Sequence, residues 1–376
     1  MTRNRLSIIL AVVFLAASAT SFACTNFLVG RKASTDGSTM ISYSADSYWL
    51  YGALYFYPRA NYKDGEKLKI YEWDTGEYRG EIDQVKHTYQ VVGNMNEHQL
   101  SIGETTFTGR KELQNKEGII DYGSLIYVTL QRAKTAREAI KVMTDLVERY
   151  GYGSTGESFS IADPGEVWIM EMIGKGSGKK GAVWVAVRIP DDCVSAHANQ
   201  ARITQIPFKD KNNCMYSKDV VSFARAQGYY NGKDEDFSFS DTYNPLDYEG
   251  LRFCEARVWS FFRMMNPEMN KYFSYINGET VQRMPLYIKP AKQVSVEDIK
   301  MCMRDHYEGT PIDMTVGAGS GPFGSPFRSS PLTYKVDGVE YFHERPIATQ
   351  QTGFTFVAQM RSWLPDPIGG ILWFGV

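Results

Sequence analysis

Cys24 is the residue whose type and position most directly suggest chemistry, in the run Ser21-Phe22-Ala23-Cys24-Thr25-Asn26-Phe27-Leu28-Val29-Gly30. A cut after Ala23 would make it the first residue of the mature chain, with a thiol and a free α-amine on one residue. The amine titrates at roughly 7.7–8.0, so much of it is neutral near pH 7 and able to take the thiol proton. A thiolate is the strongest side-chain nucleophile, and a base beside it activates it further. The arrangement is a nucleophile that carries its own base.

The cut itself is readable upstream. Arg3 and Arg5 give a positive start, and Leu6 to Ala17 form an apolar core of about a dozen residues, inside the span of a secretory signal. Ser21 and Ala23 place small side chains at the −3 and −1 positions of the cut. The apolar core is shorter than the roughly 20 residues a bilayer span needs. The expectation is a signal peptide over residues 1–23, one domain over residues 24–376, and export to a periplasm or the medium. Lipidation of Cys24 is the competing reading. It fits less well, because Ser21 stands where a lipoprotein signal usually has leucine.

The other candidates are weaker. His197 could pair with a cysteine, but none of the five histidines sits in a recognisable protease context, and a structural role is the expectation. The remaining cysteines, Cys193, Cys214, Cys254 and Cys302, form no Cys-x-x-Cys pair and read as core thiols or disulfide partners. There is no His-Glu-x-x-His and no Gly-x-Ser-x-Gly. The run Gly319-Ser320-Gly321-Pro322-Phe323-Gly324 matches a dinucleotide fingerprint in form, without the strand before it and the helix after it that the chemistry needs. No metal or cofactor is implied.

The elements that must position Cys24 follow from periodicity. Asn26 to Gly30 reads as a strand, Lys32 to Ser38 as a turn, and Thr39 to Tyr43 as a return strand ending near Asp46. That antiparallel hairpin would bring Asp46 back toward Cys24. Leu100 to Thr106 is a further strand, and Ser158 to Ile173 is a hairpin turning at Asp163-Pro164-Gly165-Glu166. Ala182 to Ile189 is a strand apolar enough to be buried on both sides. Asn94 and Asn96 read as turn residues. Ala136, Ala139, Ile140, Met143, Leu146, Val147 and Tyr150 fall on one face of a helix, with a Thr135/Glu138 capping box and a stop at Gly151. A second helical stripe uses Leu251, Cys254, Val258, Phe261, Phe262 and Met265, with Arg257 at its margin. A short helix starts at Ser295, and strands follow around 333–341 and 352–360. The final run Ile371 to Val376 is apolar and strand-like, which suggests a sequence that continues further.

Composition adds limits. The net charge is −2, with charged residues at 22% and no basic block to attract nucleic acid or an anionic membrane surface. Aromatic residues make up 14%, led by 24 tyrosines. Cross-strand pairing accounts for them most simply, and a sugar- or peptide-binding groove is the sharper reading.

The ordered set Cys24-Thr25-Asn26-Phe27-Leu28-Val29-Gly30, Thr35-Asp36-Gly37-Ser38, Ser44-Ala45-Asp46-Ser47, Gly93-Asn94-Met95-Asn96-Glu97, Ile161-Ala162-Asp163, Val167-Trp168-Ile169-Met170-Glu171 and Ala198-Asn199-Gln200 resembles the C69 dipeptidase family. The resemblance runs over essentially all of the mature chain. It implies an α+β fold of the N-terminal nucleophile hydrolases, a four-layer αββα sandwich of two stacked antiparallel sheets flanked by helices. It implies Cys24 as nucleophile, Asp46 as the acid that orients its amine or thiol, and Asn199 as an oxyanion donor together with a backbone N–H. More loosely, it matches Arg257 to an active-site arginine of the wider superfamily. Related choloylglycine hydrolases have Gly-Arg-Asn-x-Asp where this chain reads Ser42-Tyr43-Ser44-Ala45-Asp46. Tyr43 thus replaces an arginine, removing a cation expected to favour the thiolate and shifting the reading toward dipeptides. The substrate implied is a dipeptide or short peptide. The alternatives are an amidase for N-acyl amino acids or a lipidated binding protein, and a homo-oligomer stays open.

Overall fold

A computed structural model describes residues 24–47, 51–328 and 333–376 of the chain. The proposed leader, residues 1–23, lies outside them. Two antiparallel sheets dominate. The first has six strands in the order Tyr287–Ile288, Val194–His197, Asn26–Val29, Thr39–Asp46, Thr352–Met360 and Gly370–Gly375. The second has eight, from Cys214–Tyr216 through Ala182–Ile189, Val167–Gly174, Gly156–Ala162 and Ser101–Phe107 to three two-residue strands that end at Phe56–Tyr57.

The expected hairpin is present. Leu28 pairs with Ile41 and Val29 with Met40, and a bridge between Thr25 and Ser44 carries the same register back to Cys24. Strand alternation then sorts the side chains of Asn26–Val29 onto two faces. Leu28 joins Ile41, Tyr43 and Ala45 in an apolar layer that also takes in Ile169, Val183 and Val185 of the second sheet. Phe27 and Val29 face the other way, into a cluster with the helix Ala256–Met265. There the Phe27 and Phe261 rings stack with centroids 4.1 Å apart, a contact worth about 1 kcal/mol beyond the area it buries. A third cluster joins the second sheet to the helices Tyr122–Leu130 and Ala136–Tyr150.

The helix Ala136–Tyr150 has the bounds its periodicity predicts, and the Thr135 side chain accepts from Glu138 N at 3.3 Å. The return half of the capping box differs: the Glu138 carboxylate takes the N–H of Lys134 instead of Thr135. Ser295 and Asp298 do form a complete box on Val296–Cys302. The second stripe departs further from a uniform helix. Residues Gly250–Glu255 form a wider π-helical turn before the α-helix begins at Ala256, and such turns are frequent at functional sites. Asn96 is a buried structural amide, donating to the carbonyls of Leu130 and Ala133. All five cysteines are buried and unpaired, so the four beyond Cys24 are core thiols.

His197 is a polar tie between the sheets. It sits opposite Asn26 in the first sheet, and its ring nitrogens meet Thr105 Oγ1 and Ser160 Oγ of the second sheet, each at 2.7 Å. Burial, and then the charge of Arg202, push its pKa down to about 3. The unfolded chain binds this proton near pH 6.5, so the unfolded state holds more protons between those values. The stability His197 contributes is complete above about pH 6.5 and is lost as pH falls toward 3, at up to about 1.4 kcal/mol per unit. Denaturant unfolding of His197→Gln should show a shallower acid-side loss of stability than the wild type, and parallel pH profiles would contradict this assignment.

Candidate active site

Cys24 is 5% exposed and lies at the end of the apolar layer between the sheets. Its thiol is 3.6 Å from the Tyr43 hydroxyl and 3.6 Å from Glu104 Oε1. The Tyr43 hydroxyl in turn donates to Glu104 Oε1 at 2.5 Å. Glu104 arrives from the second sheet, and Asn26 holds it there. In the amide orientation that satisfies every partner, Asn26 donates to Glu104 O and accepts from Glu104 N, at 2.9 and 3.0 Å. Gly103 permits this crossing, since a Cβ there would stand 2.8 Å from the Asn26 amide.

These surroundings hold the thiol in its neutral form. Burial first, then the charges of Glu104 and Asp46, push the Cys24 pKa well up, against hydrogen bonds from the Asp46 backbone and the Tyr43 side chain. With residues 1–23 attached, the Cys24 nitrogen is an amide and cannot accept a proton. The return strand does deliver Asp46, fully buried, to this neighbourhood. Its carboxylate takes Thr352 Oγ1 at 2.7 Å and Arg345 Nη2 at 3.0 Å. Burial raises the Asp46 pKa, and Arg345 is the largest influence opposing that rise.

Arg257 does not sit at the margin of its helix, as the stripe suggested. It is fully buried, and all five of its N–H donors have acceptors. Nε donates to Phe253 O at 2.8 Å. Nη1 donates to Cys24 O at 2.7 Å and Thr25 Oγ1 at 2.9 Å. Nη2 donates to Ala198 O at 3.1 Å and Asn199 Oδ1 at 2.9 Å. One guanidinium therefore fixes the main chain of Cys24 and the amide of Asn199 together. Asn199 adopts a left-handed backbone, φ 62°, which asparagine tolerates better than most residues. With its oxygen committed to Arg257, its Nδ2 faces the other way and donates to Thr106 O at 2.6 Å, leaving one further N–H.

The structure thus gathers Cys24, Asp46, Asn199 and Arg257 around one buried region. It also corrects the inference of a missing cation: Tyr43 occupies the arginine position, yet Arg257 and Arg345 bring positive charge from distant segments. Glu104, Glu157, Arg345 and Thr352 were not singled out by sequence reasoning. Each is an isolated residue in a strand or loop without a motif, and only tertiary pairing brings them here.

Two cavities flank the thiol region and share Tyr122. One is aromatic, lined by Tyr43, Tyr55, Tyr57, Trp73, Tyr127 and Phe354. The other is acidic, about 360 Å³ in volume, with Glu72, Asp74, Asp121 and Glu157 in its wall.

Replacing Arg257 tests the strut. Lysine has three donors, so Arg257→Lys leaves at least two of the five acceptors unpaired, at a cost of about 2–5 kcal/mol in unfolding free energy. Chemical denaturation reads that loss, and a change under about 0.5 kcal/mol, the ordinary range for a surface site, would contradict the assignment.

The sequence model of peptidase family C69 matches residues 23–56 and 55–376. A probable dipeptidase of Latilactobacillus sakei is 26% identical over 374 residues, covering 94% of this chain and 71% of its own length. A probable dipeptidase of Salmonella dublin is 28% identical over 369 residues, covering 93% and 77%. Probable dipeptidase B of Lactococcus lactis subsp. lactis is 27% identical over 372 residues, covering 93% and 71%. Matched from its cysteine seam to its last strand, the chain belongs to peptidase family C69.

Proposed function

We propose that the protein is an exported cysteine dipeptidase whose nucleophile is the Cys24 thiol, activated when removal of residues 1–23 frees the α-amine. The observation that carries this reading is the Arg257 guanidinium, which binds the Cys24 carbonyl and the Asn199 side chain at once. The succession of helix, sheet, sheet and helix around three apolar clusters supports the four-layer sandwich of the N-terminal nucleophile hydrolases. The dipeptidase names of the relatives support the substrate class.

The chemistry follows from the charges. In the uncut chain, the carboxylates of Glu104 and Asp46 oppose a thiolate. Cleavage before Cys24 replaces the amide with an amine, which takes the thiol proton and becomes an ammonium among those carboxylates. The ion pair so formed offsets the repulsion that burial amplifies. The thiolate attacks the peptide carbonyl carbon, and the free N–H of Asn199 donates to the oxyanion. The Cys24 ammonium then returns its proton to the departing amine, leaving a thioester. Water activated by the same amine hydrolyses it. Asp46, locked by Arg345 and Thr352, serves as the fixed acid that orients the Cys24 terminus.

The aromatic cavity beside Tyr43 supports a second reading, an amidase that places an apolar acyl group there. Both readings share the nucleophile, so the first test addresses it alone. Iodoacetamide should abolish dipeptide hydrolysis by the mature enzyme in step with loss of the Cys24 thiol, while a chelator leaves the rate intact. Asn199→Ala should lower kcat by about 10²–10³ through loss of one oxyanion donor. Full activity after complete alkylation of Cys24 would overturn the mechanism.

A further inference from the structure

The mechanism leaves one group unused. Glu157 is fully buried, on the strand paired with that of Glu104. Thr106 Oγ1 donates to its Oε1 at 2.8 Å. The other oxygen, Oε2, and Glu104 Oε2 have no donor apart from the hydrogen bond the two carboxyls make with each other when Glu157 holds a proton. Among the described residues neither carboxyl takes part in an ion pair. Burial and the charge of Glu104 push the Glu157 pKa well up, which is the signature of two acids held together without a counter-charge.

Glu157 also lines the acidic cavity, with Asp74, Asp121 and Tyr122. Asp74 accepts the Tyr122 hydroxyl at 2.7 Å. The positive side chains in that wall are Arg79 and Lys116, and the Arg79 guanidinium is bound to the carbonyls of Gly118 and Lys116. The two carboxyls therefore connect the nucleophile to an open space: Glu104 touches the thiol at 3.6 Å, and Glu157 faces the cavity.

A peptide under attack places a charge near this position. Its α-nitrogen is two bonds from the carbonyl carbon, about 2.5 Å away by standard bond lengths and angle. An α-ammonium carries three N–H donors and one positive charge. That matches a carboxyl pair in which the Cys24 ammonium offsets Glu104 but leaves Glu157 without a cation of its own.

We propose that Glu104 and Glu157 receive the α-ammonium group of the substrate, so that the enzyme selects peptides with a free N-terminus and rejects N-acylated ones. This rests on the peptidase reading of Cys24. The ammonium supplies the missing counter-charge, and its binding holds the first residue of the peptide with its carbonyl at the thiol. An acyl group removes the charge and adds bulk on the same nitrogen. Two buried acids are then left facing a neutral amide.

Steady-state kinetics of the mature enzyme on Ala-Ala and N-acetyl-Ala-Ala test this, with Glu157→Gln as the variant because Glu157 does not touch the thiol. The wild type should prefer Ala-Ala in kcat/KM by about 100-fold or more, as expected for losing charge-assisted hydrogen bonds. Glu157→Gln should raise KM for Ala-Ala by about tenfold to 100-fold with a smaller change in kcat. The N-acetyl reaction should not slow in Glu157→Gln, since one of the two acids facing the neutral amide is gone, and Glu157→Asp should retain the preference. Stoichiometric labelling of Cys24 by iodoacetamide checks that each variant is folded. Ala-Ala cleavage with equal cleavage of the N-acetyl peptide, or an unchanged KM in Glu157→Gln, overturns this inference and leaves the peptidase reading standing. A wild type that labels fully at Cys24 and cleaves neither peptide overturns both. If Glu157→Gln does not fold, loss of preference in Glu157→Asp overturns the charge argument by itself.

Discussion

The site depends on a buried arginine with every donor in use. A guanidinium taken out of water is costly unless each N–H finds an acceptor, and the five acceptors of Arg257 come from three separate parts of the chain. Phe253 O lies in the π-helical turn, Cys24 O and Thr25 Oγ1 at the seam, and Ala198 O and Asn199 Oδ1 after the neighbouring strand. Satisfying that one group fixes the Cys24 main chain against the Asn199 amide. The π-helical turn bears directly on this, since Arg257 follows it by two residues. The helix is buried on every side here, from Arg252 to Phe262, so even a residue at the edge of the apolar stripe is enclosed.

Around this strut the charges suit the proposed free terminus at Cys24 better than they suit an amide. Burial, and then Glu104 and Asp46, raise the thiol pKa, which would be a defect in an enzyme activated by a side-chain base. In one activated by its own α-amine, the same carboxylates favour the ammonium that forms when the thiol gives up its proton. Arg345 and Thr352 keep Asp46 fixed. On the proposed mechanism, the environment is unfavourable to a thiolate while Cys24 carries an amide and favourable to a thiolate–ammonium pair once it carries an amine.

Much of the fold was legible because its signals are local. The hairpin that carries Cys24 and Asp46, the helix Ala136–Tyr150 and the strands Ala182–Ile189 and Thr352–Met360 follow from alternation, helical spacing and turn residues. Of the residues the structure gathers, those that sit in an ordered motif were legible, as Cys24, Asp46 and Asn199 are. Their neighbours were not legible where proximity depends on long-range register. Glu104 and Glu157 meet only because their strands pair, with Glu157 opposite Thr106. Arg345 finds Asp46 across nearly 300 residues, with no local pattern to announce it. Tyr43 was read as an absent arginine, whereas its hydroxyl links the thiol to Glu104.

The central claim is that the free α-amine of Cys24 is the catalytic base. It is tested most directly by two otherwise identical chains, one beginning at Cys24 and one retaining Ala23 as its first residue, each verified by intact mass. Dipeptide hydrolysis should be supported by the first and fall by about 10²–10⁴-fold in the second, the usual contribution of a positioned base. Equal turnover by the two chains would contradict the account, because the second has only an amide where the base is required.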